Sequence, residues 1–142
     1  MKDLIEEQII AAVREILTGR INEILRDLKY SIPVIEFGNY SGSTAVTPMI
    51  HLSSCERTEK ERIIRLDAYS LTVTFTLPET AEAEKYCYIY SGAVSREIYD
   101  NPTLSGVVDR AVITGKKYLS PKRPNCGEGW QLVISMRLTA EC

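Results

Sequence analysis

Apolar residues recur along the chain with two different spacings, and the helical spacing occurs in two segments. Between residues 3 and 28 they recur in steps of three, four and five, which places them on one face of a helix. Gly19 weakens this helix by about 1 kcal/mol relative to alanine, so the pattern fits either one long kinked helix or two short ones. A second helix is predicted to begin after Thr80, its expected N-cap, and to end at the Asp-Asn-Pro sequence of residues 100–102.

Alternating apolar and polar residues predict strands between and after these helices. The alternation is clearest at residues 130–140, where we expect the even-numbered positions to face the core. Shorter strands are predicted at residues 34–37, 48–54 and 107–114. The sequence therefore predicts an α+β fold in one domain, residues 1–142. It has a mainly antiparallel sheet of four to five strands, with a long N-terminal helix and a second helix packed on one face.

A longer strand pattern, residues 64–77, changes phase along its length. Its second half has apolar residues at odd positions, whereas Ile64 and Leu66 make the even positions apolar in its first half. Such a change places the two apolar sets on opposite faces of the strand. Either a β-bulge lies near Asp67, or Ile64 and Leu66 leave the core of their own subunit and pack against another molecule.

Two charged segments are predicted to be surface loops. Residues 56–62 lie between two strand patterns and have the character of a solvated hairpin tip. The tip and the start of the next strand form a hypothetical subunit interface: Glu59, Lys60, Glu61, Arg62, Ile64 and Leu66. The turn-rich connection 115–129 carries a hypothetical basic loop: Lys116, Lys117, Lys122 and Arg123. These cations either contact phosphate or belong to a flexible solvated loop.

Composition and charge narrow the possible functions. The chain has 142 residues, of which 44% are hydrophobic, and its net charge of −2 argues against a dedicated nucleic-acid-binding protein. No apolar run is long enough to span a membrane and no signal-peptide pattern is present, so we expect a soluble protein that is not exported through a signal sequence.

Candidate chemistry is sparse in the sequence. The cysteines lack the close pairs of a zinc site, and His51 is the single histidine, so we expect free thiols, no metal and no cofactor. The cysteines are Cys55, Cys87, Cys126 and Cys142. Asp109 and Arg110 are adjacent opposite charges in a strand pattern, which more often protect a sheet edge than catalyse a reaction. Because no nucleophile with a base and no paired carboxylates are evident, we expect the protein not to be an enzyme.

The order of elements resembles that of bacteriophage tail terminator proteins, also called minor tail or tail completion proteins. The resemblance is carried by the long N-terminal helix, the long hairpin, a helix ending near the Leu-x-Gly-x-Val turn at residues 104–108, and the alternating last strand. It covers nearly the whole chain. It implies a small α+β domain that forms a ring homo-oligomer, a hexamer, which caps the tail tube and offers a joining surface to the head connector.

The partners implied by the resemblance are further copies of the chain, the tail tube protein and the head–tail connector protein, with no membrane and no specific nucleic acid. The implied location is the virion tail, and the bacterial host cytoplasm during assembly. One alternative is another virion structural role, as a head–tail connector or baseplate protein. A second alternative is a small cytosolic enzyme or nucleic-acid-binding module that uses the basic loop; salt-dependent binding to DNA would favour it.

Overall fold

A computed structural model describes most of the chain. The described residues are 4–27, 33, 35–37, 46–60, 64–77, 82–121 and 129–141, with the side chains of 57–60, 64–66 and 141 excepted. Within this part, one antiparallel sheet of four strands carries helices on one face, which is an α+β architecture. The predicted fold class is confirmed.

The N-terminal helix is continuous and changes its winding around Gly19. Helix α1 (Ile5–Ile16) leads into a π-helical segment (Leu17–Ile21) and then into helix α2 (Asn22–Asp27). The wider π-helical turn takes up an extra residue, so the apolar stripe stays on the sheet side through both halves. The buried apolar residues of this helix are Ile9, Ala12, Val13, Ile16, Leu17, Ile21, Ile24 and Leu25. The structure therefore has one continuous helix rather than two short ones.

The sheet is built from strands β1 (Met49–Lys60), β2 (Ile64–Thr76), β3 (Arg110–Leu119) and β4 (Gln131–Glu141). Their order across the sheet is β1-β2-β4-β3, and every neighbouring pair is antiparallel. Strand β4, the last in the chain, therefore inserts between β2 and β3. The two remaining strands, β1 and β3, form the edges.

The two central strands each bury one alternating set of side chains against the helices. In β2 the buried set is Tyr69, Leu71, Val73 and Phe75, at 0–2% exposure. In β4 it is Leu132, Ile134, Met136, Leu138 and Ala140, at 0–7% exposure. The expectation that the even positions of the last strand face the core is confirmed from residue 132 onward. Trp130 precedes β4 and is half-buried against the core.

Strand β2 passes Asp67 without a bulge. Its pairing with β1 and with β4 continues through this residue with no change of register. The bulge alternative for the phase change is therefore wrong at this position. The irregularities lie instead in the edge strands, between Leu52 and Ser54 in β1 and between Ile113 and Gly115 in β3. Asp67 itself is only 6% exposed. Among the described side chains, the buried odd-numbered face of β2 therefore begins with a polar residue, before Tyr69.

Three predicted strand boundaries are wrong. The strand predicted at 34–37 is a single parallel bridge between Ile35 and Val46. The strand predicted at 48–54 continues to Lys60, so the first part of the charged run lies in β1 rather than in a hairpin tip. The strand predicted at 107–114 begins at Arg110 and extends to Leu119. Charged residues suit these edge strands because their side chains reach water without breaking the backbone pairing.

Helix α3 (Ala83–Asp100) ends where the sequence predicts, just before Asn101 and Pro102. Its predicted N-cap, Thr80, lies outside the described residues. The chain then reverses through three consecutive residues with positive φ, namely Leu104 at 50°, Ser105 at 59° and Gly106 at 90°. Only glycine adopts this region without strain. Leu104 tolerates it because its side chain is completely buried in the core.

Candidate functional site

The predicted subunit interface falls at the end of the β1–β2 hairpin. Glu59 and Lys60 close β1, and Ile64 opens β2 as the pairing partner of Lys60. Leu66 pairs with Thr58 across the same ladder. The backbone therefore brings these four predicted residues together, while their side chains are outside the described part. Glu61 and Arg62 also lie outside the described residues.

This end of the hairpin extends past the rest of the sheet. The described pairing of β2 with β4 begins at Leu66, opposite Glu141. Ile64 and Arg65 are paired with β1 alone among the described strands. We call residues 58–60 and 64–66, the last paired rows of this hairpin, the hairpin arm. A two-stranded arm is stabilised mainly by its own ladder and by whatever packs against it.

An open groove follows the opposite edge of the sheet, between the last turns of α3 and strand β3. Its volume is about 570 Å³. We call it the α3–β3 groove, and its lining is Ser95, Ile98, Tyr99, Pro102 and residues 109–113. Tyr99 is 86% exposed and Val112 is 41% exposed beside this groove. A groove between a helix and a free edge strand fits an extended segment that adds to the sheet.

The predicted basic loop is not a loop at its first two residues. Lys116 and Lys117 are exposed residues within strand β3, where neighbouring side chains point to opposite faces. Lys116 lies on the helix side, where its Nζ is 3.5 Å from the Ser91 carbonyl oxygen. Lys117 pairs with Val133, on the face away from the helices. Lys122 and Arg123 lie outside the described residues.

The side of β3 that faces α3 is tied to that helix by hydroxyl and aromatic contacts. The Tyr118 hydroxyl and Ser91 Oγ share a hydrogen bond of 2.8 Å, and Ser91 is 2% exposed. The Tyr118 ring also packs edge-on against Tyr88, with ring centroids 5.2 Å apart. These contacts give Ser91 and Tyr118 a packing role. They also keep the second half of β3 close to α3.

An ion pair joins the π-helical segment to the end of α3. Arg20 Nε lies 3.4 Å from Glu97 Oε2, and Arg20 Nη1 lies 3.3 Å from Glu23 Oε2. The Glu97 side chain is only 5% exposed, whereas that of Arg20 is 55% exposed. The hydrogen bond to Glu97 and the charges of Glu23 and Glu97 raise the pKa of Arg20. Sequence reasoning missed this pair because its members are far apart in the chain.

A buried amide at Asn22 connects the same helix to the bridge at Ile35. Asn22 Nδ2 donates to the Ile35 carbonyl oxygen, and Asn22 Oδ1 accepts from the Ile35 backbone N–H, both at 2.9 Å. The same Nδ2 donates to the Thr18 carbonyl oxygen at 2.9 Å. Asn22 thus replaces a neighbouring strand for Ile35. Sequence reasoning also missed Asn22, and its position among the apolar residues of the helix is the signal that could have identified it as buried.

Other candidate chemistry is dispersed over the fold. His51 is exposed on edge strand β1, whereas Asp109 and Arg110 lie at the start of the opposite edge strand, with Asp109 N donating to the Thr139 carbonyl oxygen at 2.8 Å. Cys55 is exposed, while Cys87 is completely buried and its burial raises the pKa of its thiol to about 11. Burial likewise raises the pKa of Tyr90, whose hydroxyl donates to the Pro33 carbonyl oxygen.

In the part of the chain that the structure describes, no helix is both long and apolar enough to cross a membrane. Those same residues contain no group of three or more histidine, cysteine or carboxylate side chains placed to hold a metal ion. Comparison with protein-family models gives no match, and comparison with curated proteins gives none either.

Proposed function

We propose that the protein is a virion structural protein of a phage, a tail terminator that caps the tail tube as a ring of identical subunits and offers a joining surface to the head connector. Its location would be the virion tail, reached from the cytoplasm of the bacterial host. The observation that carries this proposal is the pair of long sheet edges on opposite sides of one subunit, to which no further strand is paired in the part of the chain that the structure describes. Strand β1 has 12 residues and strand β3 has 10.

Open edges on opposite sides favour a head-to-tail contact. An edge strand presents unpaired N–H and C=O groups that pair readily with another strand. Two different edges, one on each side of the subunit, give a heterologous contact, and such contacts form a ring when the rotation between subunits closes. The strand order β1-β2-β4-β3 supplies this arrangement without any change of the fold.

Exposed apolar side chains occur at both edges. Met49 on β1 is 70% exposed, and Leu119 on β3 is 44% exposed. Tyr99 and Val112 add apolar surface at the α3–β3 groove. Large apolar side chains grouped on a surface commonly mark a site of association. The α3–β3 groove and the edge of β3 are therefore the side of the subunit that we assign to the neighbour's hairpin arm.

The order of elements supports the same role. The elements follow one another along the chain in the order that the resemblance implies. They are the long helix, the hairpin, the helix that ends near the Leu-x-Gly-x-Val turn, and the two final strands. Buried polar side chains such as Asn22 and Glu97 form contacts that hold the fold together. Asn22 bonds the Ile35 backbone, and Glu97 pairs with Arg20. These features support a role in assembly rather than in catalysis.

The test of this function uses the tail tube protein encoded in the same phage genome. The two proteins are co-expressed, and the tubes are imaged by negative-stain electron microscopy with and without the terminator. We expect a ring at one end of each tube and, when the terminator is present, a halt in further tube growth. Tubes that bind no terminator and grow equally in its presence would contradict the proposal.

A further inference from the structure

The sheet face opposite the helices has a distinct chemistry. We call it the open face. Its described positions are the even-numbered residues of β2, the odd-numbered residues of β4, and the residues of β1 and β3 that pair with them. Hydroxyl and amide side chains occupy most of its centre: Ser54, Ser70, Thr72, Thr74, Thr76, Gln131, Ser135 and Thr139. All of these groups can donate a hydrogen bond to an anionic oxygen.

Three exposed cations lie on the half of the open face formed by β3 and β4. Lys117 is opposite Val133, Arg137 is opposite Val112, and Arg110 is opposite Thr139. Arg110 and Arg137 are two residues apart in the ladder, and Lys117 lies four residues further along, roughly 14 Å at 3.4 Å per residue. The three charges therefore form a stripe along the β3–β4 edge.

Negative charge is scarce on this half of the face. Glu56 is the one carboxylate among the described side chains of the open face. It lies on β1, and the two central strands separate it from Arg110 on β3. Glu141 follows in β4, and its side chain is outside the described part. No ion pair within the described part of the chain engages Arg110, Lys117 or Arg137. These cations therefore keep their charge available to a partner.

We infer that the open face binds the phosphate backbone of duplex DNA, without reading its sequence. Three cations beside a layer of hydroxyl donors complement a surface that carries one negative charge per about 1.7 Å of axis. The described side chains of the open face include no phenylalanine, tyrosine or tryptophan ring, because Tyr118 lies on the helix side with Tyr88. The imidazole of His51 is the one ring among these side chains, and it lies on β1, away from the cations. Single-stranded nucleic acid is usually held by bases stacked on aromatic side chains, so the face suits a duplex better than a single strand.

The inference concerns a surface that borders the proposed ring contacts. The ring uses the strand edges and the α3–β3 groove, whose lining includes Arg110, whereas the side chains of Lys117 and Arg137 lie on the open face and do not line that groove. A monomer that never forms a ring would still bind DNA in this way. Likewise, a ring that binds the tail tube but no DNA would leave the proposed function intact.

The experiment measures binding to a fluorescently labelled duplex of mixed sequence, about 30 base pairs long, by anisotropy over a salt series. Release of counterions from three phosphates gives a slope of about −2.7 for log affinity against log salt. The wild-type affinity should therefore fall roughly forty-fold between about 50 and 200 mM salt. Duplexes of unrelated sequence should bind equally, since phosphate contacts carry no sequence information.

Lys117→Gln and its neighbour Lys116→Gln form a matched pair of variants. Both remove one lysine charge from adjacent positions, but only Lys117 lies on the open face. With Lys117→Gln the same salt change should weaken binding only about twelve-fold, because one phosphate contact is lost. Arg137→Gln should behave like Lys117→Gln, and Lys116→Gln should behave like the wild type. Thermal unfolding followed by circular dichroism checks that all three variants are folded.

Three results would overturn the inference. The first is a wild-type protein that does not bind the duplex at about 50 mM salt. The second is an equal loss of binding for the two lysine variants, which would assign the effect to overall charge rather than to the open face. The third is binding of polyglutamate as tight as that of DNA at the same charge concentration, which would assign the face to an acidic protein partner.

Discussion

Arg20 Nε lies 3.4 Å from Glu97 Oε2, and this contact joins the π-helical segment of the first helix to the last turn of α3. The carboxylate is almost completely buried, whereas the guanidinium reaches solvent. Arg20 therefore supplies both the charge and the hydrogen bond that make burial of Glu97 tolerable. This geometry gives the first prediction.

Replacement of Arg20 by methionine should destabilise the protein at neutral pH, because Glu97 is then a buried carboxylate without a counter-charge. Removing the partner of a buried carboxylate typically costs about 3–5 kcal/mol. Urea unfolding at pH 7 measures the effect. The double variant Arg20→Met, Glu97→Gln is the control, and it should lose less stability because no unpaired charge is then buried; an equal loss in both variants would assign the effect to packing rather than to the charge of Glu97.

Replacement of Asn22 by leucine should cost about 1–3 kcal/mol for each buried backbone group left without a partner. The Ile35 N–H and C=O groups both lose their bond to the Asn22 amide, and Ile35 is completely buried. Urea unfolding gives the free-energy difference. Thr18→Ala is the control, since its exposed hydroxyl donates to the Arg14 carbonyl oxygen on the same helix and the Thr18 carbonyl is unchanged. A loss no larger than that of the control would show that water replaces the amide.

Replacement of Ile134 by alanine should destabilise the protein by roughly 2–5 kcal/mol, because a completely buried β4 side chain is removed from the core. Gln131→Ala, in the same strand on the open face, should cost less than about 0.5 kcal/mol. Chemical denaturation of both variants makes the comparison. Similar losses at the two positions would contradict the observed facing of β4.

The two described thiols should react at very different rates in the folded protein. Cys55 is exposed, whereas Cys87 is buried and its raised pKa of about 11 keeps it in the unreactive thiol form at pH 8. Brief alkylation at pH 8 followed by peptide mapping should label Cys55 and leave Cys87 unlabelled. Alkylation in denaturant should label both, and rapid labelling of Cys87 without denaturant would place it outside the core.

The ring contact predicts that the hairpin arm and the β3 edge carry self-association. The double replacement of Ile64 and Leu66 by Asp should abolish association while the thermal transition stays normal, because unpaired charges buried at an interface cost several kcal/mol. Val112→Lys, at the exposed edge of β3, should have the same effect from the other side of the contact. Sedimentation velocity over a range of protein and salt concentrations follows both variants.

Ser53→Ala is the control for these interface variants. It alters an exposed residue at the bulge of β1, where the Ser53 hydroxyl donates to the Ser70 carbonyl oxygen of the same subunit. This control should associate like the wild type. If the Ile64, Leu66 variant is unfolded rather than monomeric, these residues belong to the subunit's own core, and the contact through the hairpin arm is wrong.

Local periodicity determined much of this fold in advance. Local spacing along the chain predicted three features that the structure shows. They are the apolar stripe of the first helix, the end of α3 before Pro102, and the buried even positions of β4. Helix and strand periods act over a few residues, so the chain alone specifies which side of each element is apolar. A mainly antiparallel sheet of four to five strands also followed from this pattern, and the described sheet has four.

Strand order and polar partners were decided only by the tertiary structure. The insertion of β4 between β2 and β3 leaves β1 and β3 as edges, and no local pattern encodes that pairing. Arg20 and Glu97 meet because two helices pack side by side, and the burial of Glu97 follows from that packing. Lys116 and Lys117 looked equivalent in a basic segment, yet the strand they form places them on opposite faces. The physical reason is the same in each case: long-range packing fixes which groups meet, whereas sequence periodicity fixes only which way each residue can face.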